Sequence, residues 1–275
     1  MPAWIRRLVP LVLTLAVGLA VAGLSAGPTR AAALSAFDVP TLALARADLA
    51  SLVNEQRAAH GLVALRVDPK ATAMAVSRAE TMAAMDALGH AGPDGQTVFD
   101  AIRASGMTWF GAGEVVAFNT YPGEPESTDR AVADWLASAT HASILLSTDY
   151  NYVGFGAAVS ATGNRYYAGV FLKLPDRTAG WASAGKVTVT VAGSTQARLT
   201  VRWSGGDVRL QVLTAGLRDF EVQRRVAGGT WQSAGITTHT SLTVTVARGK
   251  TYEFRVRSRD KAGNRSAWSA VAVRT

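Results

Sequence analysis

The 275-residue chain contains no cysteine. That excludes a disulfide-stapled scaffold, thiolate zinc sites, a cysteine nucleophile and a lipid-modified N-terminal cysteine. Charged residues make up only 17% of the chain against 48% apolar, so a packed core is within reach and disorder throughout is excluded. Lysine is scarce, five residues against 23 arginines, and there are four histidines. Acids are scarce in one region in particular. Residues 176–275 carry six acids against sixteen bases, residues 34–175 carry fourteen against nine, and residues 1–33 carry none against three arginines. The net charge of +8 therefore averages over an acidic middle and a basic tail, which indicates two modules. Familiar catalytic signatures are also missing: there is no H-E-x-x-H zinc motif, no G-x-S-x-G elbow and no phosphate-binding glycine loop.

The N-terminus reads as an export signal. Arg6 and Arg7 precede an apolar run from Leu8 to about Leu24, and small residues follow up to Ala31-Ala32-Ala33. A basic start, an apolar centre and an A-x-A site predict a signal peptide over 1–33, cut after Ala33. An uncleaved anchor is the alternative, since the run approaches spanning length, but Pro10 and the many Gly and Ala residues suit a permanent span poorly. The arginine pair leaves two export routes open. Arginine over lysine and abundant alanine suggest a bacterial, high-GC source.

Residues 41–60 form a predicted helix with Leu44, Leu49, Leu52, Val53 and Gln56 on one face, stopped by Gly61. Asp68-Pro69 opens a second helix reaching about Ala87. Short helices are expected over about 97–104 and 128–137, with a loop at Gly111-Ala112-Gly113 between them and His141 just beyond the second. Strands are expected at 152–159 and 166–172. Helices first and antiparallel strands later make this half α+β. Residues 175–185 read as a linker. Beyond it the hydrophobic period becomes two, as in Leu199, Val201, Trp203 and in Tyr252, Phe254, Val256, and about seven short strands predict a β-sandwich.

Ordered motifs carry a resemblance. Leu52-Val53-Asn54-Glu55-Gln56-Arg57, His90 with Pro93-Asp94-Gly95, Gly113-Glu114, Trp135 followed by His141 and Ile144-Leu145, and Tyr152-Val153-Gly154-Phe155-Gly156 resemble the CAP superfamily (SCP, or pathogenesis-related-1 type), in its short bacterial branch. Trp203, Glu221–Arg225, Tyr252–Arg257 and Ser266-Ala267-Trp268-Ser269 resemble a bacterial fibronectin type III domain, with Tyr252 as its corner tyrosine. The resemblance implies an α-β-α sandwich over 41–174, the linker 175–185, and an immunoglobulin-like all-β sandwich over 186–275. The lack of cysteine argues against the disulfide-bearing eukaryotic branch.

The resemblance also implies a cleft lined by histidines and acids. His90, Glu114 and His141 fill three of its positions. Two imidazoles and a carboxylate suit a divalent metal such as zinc, with His90 and His141 as ligands, and equally suit a His–carboxylate acid–base pair. Against this, the family's second glutamate falls at Ser138, the asparagine after the first at Val115, the serine before the first histidine at Gly89 and the arginine after the second at Ala142. Each change removes a polar partner that would orient a ligand. His90 in a turn, His141 at a helix end and Glu114 as a fold-supporting buried acid are the structural alternatives. His60 and His239 read as surface residues. Trp109 and Phe110 belong either to the core or to an apolar groove.

In the basic tail, Arg255, Arg257 and Arg259 share one face of a predicted strand, and Arg225 extends the patch from its neighbour. For an exported protein this suits an anionic cell-envelope polymer, not nucleic acid. The bland reading is a solvated face in which Glu221 and Glu253 pair across strands. Together these features predict a secreted bacterial protein, free or associated with the wall. Its cleft would take a lipid, glycan, protein or metal, its sandwich would make surface contacts, and it would not be a dedicated enzyme. A metal-dependent hydrolase using His90, Glu114 and His141 is the first alternative. An adhesion module with a vestigial cleft is the second.

Overall fold

A computed structural model describes residues 30–123 and 125–275, with side chains from residue 41. The expected export signal lies outside the described residues except at 30–33, which open helix α1 (Arg30–Ala59). The chain divides into Met1–Phe37 and Asp38–Thr275, and both folded halves belong to the second unit. Among the described residues no helix is long and apolar enough to cross a membrane.

The first half is built on one four-stranded sheet, ordered β1 (Arg66–Val67), β3 (Tyr152–Val159), β4 (Arg165–Lys173), β2 (Gly111–Asn119). The pair β1–β3 is parallel and the others are antiparallel. Side chains alternate between the two faces. Val153, Phe155 and Phe171 pack against α1, α4 (Glu126–Ala137) and α5 (Ala139–Leu145). Tyr152, Val170 and Leu172 pack against α2 (Pro69–Met85) and α3 (Val98–Ala104). Helices on both faces of one sheet make the expected α-β-α sandwich.

Helix α1 buries Ala45, Leu49, Val53 and Arg57 at four-residue spacing, so Leu44 turns outward at 64% exposure. Asp68 caps α2 as expected, accepting N–H bonds from Lys70 and Ala71 at 3.0 Å. Alanines line the buried face of α2, and β3 answers them with Gly154 and Gly156. A Cβ on either glycine would run into the α2 backbone at Ala71–Thr72 or Ala75–Val76. The helix and sheet therefore approach more closely than any side-chain-bearing residue permits.

Three local features differ from the sequence reading. The stretch expected as a loop at 111–113 opens strand β2, and Glu114 stands on that strand. Residues 113–117 are buried on both faces, so the stretch lacks the alternation that marks a half-buried strand. His141 lies inside α5, because Ser138 ends α4 in an extended conformation and its hydroxyl caps the next turn at the His141 N–H (3.4 Å). Strand β5 (Trp181–Val191) begins inside the expected linker, since Ala182-Ser183-Ala184 pair with β6 despite their small side chains. The connector proper is 175–180.

The second half is the expected all-β sandwich. A three-stranded sheet β5, β6 (Gln196–Gly206), β9 (Ser241–Ala247) faces a four-stranded sheet ordered β11 (Ser269–Arg274), β10 (Thr251–Asp260), β7 (Leu217–Val226), β8 (Gln232–Thr237). Leu199, Val201, Trp203, Phe220, Val222 and Phe254 fill the space between them. The Tyr252 hydroxyl donates to the Ala247 carbonyl at 3.2 Å, the corner contact its position suggests. The connection 207–216 leaves the sandwich and enters the other half. Leu210 is buried in the α2-side core, and Gln211 Oε1 accepts the Val63 N–H at 2.7 Å.

Candidate functional site

Strand β2 and the turn after α2 bring two of the expected residues into contact. His90 Nδ1 lies 2.6 Å from Glu114 Oε2. Gly113, just before Glu114, lets β2 slide under α5 and Tyr150. A Cβ there would lie 2.9 Å from Tyr150 Oη and 3.0 Å from Ile144 Cγ2. Across the cleft, α5 holds His141 with its ring centroid 6.4 Å from that of His90 at a 55° tilt. The three side chains therefore stand side by side, His90 against both of the others.

Their environments differ sharply. The His90 side chain is 56% exposed, whereas that of Glu114 is 2% exposed. Burial raises the Glu114 carboxyl above its ordinary range, although His90 and Arg78 pull the other way. Burial, and then the charge of His90, lowers His141 below its ordinary value.

Arg78 is the residue that the sequence reading left as an ordinary helix member. It is buried on α2, its Nε is 3.3 Å from Glu114 Oε1, and its Nη2 donates to the Gly89 carbonyl at 2.7 Å. Its signal was weak: a lone arginine among the alanines of a helix's buried face. Neither Arg78 Nε nor Glu114 Oε1 makes a hydrogen bond. Arg78, Glu114 and His90 thus form a chain running from the core to solvent.

Arg78 also borders a groove of about 840 Å³ between α2 and α3. Met74, Ser77, Thr81, Gln96, Thr97 and Val98 line it. The turn 92–97 that closes one end follows directly from His90, and Gln96 N–H to Asp94 Oδ1 (3.0 Å) and Gly92 N–H to Gln96 O (2.8 Å) brace it. Trp109 packs partly buried against the α2-side core, and Phe110 is exposed. His60 and His239 are exposed.

For a metal, the donor geometry is restrictive. Glu114 Oε2 is spent on His90 Nδ1, so the carboxylate orients the ring and leaves Nε2 as the histidine's outward atom. Among the described residues, the one group offering three ligand atoms within 4.8 Å of one another is Asp176, Asp207 and Asp260; His90, Glu114 and His141 do not form such a group. Among the described residues, zinc would thus find the two imidazoles without a third donor within that distance, short of the usual protein set.

The arginine face takes the predicted register with partners attached. Arg225 stands opposite Glu253, Arg255 opposite Gln223, Arg257 opposite Glu221 and Arg259 opposite Asp219. Each pair is bonded. Trp231 lies between Arg225 and Arg255, and Trp268 between Arg255 and Arg257, with guanidinium-to-ring distances of 4.3–4.4 Å. The face is a ladder of stacked cations and rings, not a field of free charges.

Residues 50–171 match the family described as CAP, the cysteine-rich secretory protein family, which covers less than half of the chain. No curated protein matches the chain significantly. Among solved structures, an outer surface protein of Borrelia burgdorferi is 21% identical, with 46% of this chain and 90% of that one covered and a TM-score of 0.41. An extracellular protein with an SCP domain from Bacillus anthracis is 22% identical over 47% of this chain, which spans 40% of that protein, with a TM-score of 0.41. The sixth fibronectin type III domain of a human type III domain-containing protein is 20% identical, with 36% and 90% covered and a TM-score of 0.27.

Proposed function

We propose that the CAP-type half is a binding module of an exported bacterial protein. Its ligand is a polar polymer, a cell-wall glycan strand, seated in the α2–α3 groove and contacted at one end by His90. The observation that carries this reading is the continuity of the buried Arg78–Glu114 pair with both the exposed His90 ring and the groove. Hydroxyl and amide side chains set among small apolar ones suit a sugar better than an acyl chain. Glu114 holds His90 in one orientation, and a ring fixed in advance costs less entropy on binding.

Glu114 is 2% exposed and its outer oxygen is held by His90, so the carboxylate is shielded from a substrate, which supports binding over catalysis. The N-terminal pattern of Arg6-Arg7, apolar run and Ala31–Ala33 supports export. The sandwich then acts as the module that meets the surface or a partner, and retention at an anionic envelope would draw on the excess of arginine left after pairing.

Calorimetry of the purified chain with soluble cell-wall glycan fragments tests the reading. Binding is expected for the native chain, at least tenfold weaker for His90→Ala, and absent for Ser77→Trp, which fills the groove. Equal affinity in all three chains, or none in the native one, would refute it. The same titration with zinc, native against His90→Ala/His141→Ala, reports separately on a metal at the two imidazoles.

A further inference from the structure

The six acids of the basic tail divide into two sets. Asp219, Glu221 and Glu253 each take arginine partners on the ladder. Asp176, Asp207 and Asp260 converge instead where the sandwich meets the helix–sheet half, with carboxylate oxygens within 4.8 Å of one another. Asp260 is 1% exposed and Asp176 6%. Among the described residues none of the three has an ion-pair partner, in a segment with sixteen bases.

Only N–H groups orient them. Thr178 and Ala215 donate to Asp176, Val208 and Gly216 to Asp207, and the backbone and side chain of Asn264 to Asp260. Each oxygen accepts one bond, which leaves lone pairs free and three like charges uncompensated. Burial first, and also the charges of Asp176 and Asp260, raise the Asp207 carboxyl above its usual range.

A separate observation falls at the same junction. Ser258, fully buried, has a hydroxyl with no hydrogen-bond partner. It shares the inward face of β10 with Asp260, two residues on. Gly180 in the connector packs against it: a Cβ there would lie 2.4 Å from the Gly206 carbonyl oxygen, 2.9 Å from Ser258 Oγ and 3.3 Å from Asp207 Cα. The hydroxyl thus lies beside the connector and the start of the 207–216 connection, the two segments that carry Asp176 and Asp207. Buried polar atoms without partners are rare, and a bound ion is one partner that satisfies them.

We propose that Asp176, Asp207 and Asp260 bind a calcium ion, with the unpartnered Ser258 hydroxyl beside the segments that carry them. An all-oxygen donor set with several carboxylates is the chemistry of a hard divalent cation, and its irregular arrangement suits calcium better than magnesium. The ligands come from the connector 175–180, the root of the 207–216 connection and the end of β10, so the ion fastens three segments that meet at the junction of the two halves. Asn264 already ties two of them, donating to the Asp176 carbonyl at 3.1 Å.

The test uses the full chain stripped with a chelator. Calcium at about 1 mM is expected to raise the melting temperature of the native chain. Terbium is expected to show emission sensitised by Trp181, next to Gly180, and calcium is expected to displace it. Asp207→Asn is expected to lose both effects. A native chain whose melting ignores calcium, terbium emission that calcium does not displace, or emission undiminished in Asp207→Asn would each overturn the proposal. The first two measurements need no variant and stand even where Asp207→Asn fails to fold.

Discussion

At the scale of single residues, the cleft is defined by charge held out of water. Glu114 has a raised folded pKa, so the stability it contributes is present below its ordinary value of 4.5 and is lost as the pH rises through the raised one. Glu114→Gln removes that loss. The difference in melting temperature between variant and native chain is expected to move in the variant's favour as the pH rises from 4, and a constant difference would contradict this. His141 has the opposite sign. Its lowered pKa makes its contribution present above 6.5 and lost as the pH falls through the folded value, so His141→Gln is expected to flatten the acid side of the melting profile. Arg57, from the first-helix motif, proves to be a framework residue. It is fully buried and pushed down to about 10 by burial, and it donates to the carbonyls of Val63, Leu145 and Ser147. Arg57→Met leaves those carbonyls unpaired and is expected to cost about 3 kcal/mol or more by denaturant titration. His90, Glu114 and His141 were legible as a set because motif order carried them. Arg78 was not, because a buried arginine on a helix gives no sign of which acid will meet it.

At the scale of elements, legibility followed periodicity and punctuation. Asp68-Pro69 announced α2, and the alternation at 199–203 and 252–256 announced β6 and β10, because caps and half-buried strands leave local signals. Strand β2 left none, since both its faces are buried, and β5 hid behind small residues. Gly154 and Gly156 were visible as a motif, but their purpose belongs to packing: they admit the α2 backbone. Gly156→Ala is expected to destabilise by about 3 kcal/mol or more, because the clash is with backbone and no side chain can rotate away. Thermal melts of the variant check this, and a near-native melting temperature would show that the two layers are looser than they stand here.

At the scale of the whole molecule, the charge asymmetry read from the sequence separates two bodies that the fold then joins firmly. Leu210 from the sandwich side sits in the core of the other half, and Asn151 donates to the carbonyls of Leu174 and Val212. No local signal marks such an insertion, because 207–216 reads as a plain loop and its burial depends on a surface far away in the chain. Leu210→Ala is expected to cost about 3 kcal/mol and to split one calorimetric transition into two; a single transition at the native temperature would contradict the coupling. On the proposed function, His90 and the α2–α3 groove of the helix–sheet half form one binding site. Nuclear magnetic resonance of the labelled chain, titrated with soluble cell-wall glycan fragments, tests it most directly. Shifts are expected at His90, Ser77, Thr81 and Gln96, with the sandwich amides unmoved. Shifts confined to the arginine ladder, or none at all, would contradict it.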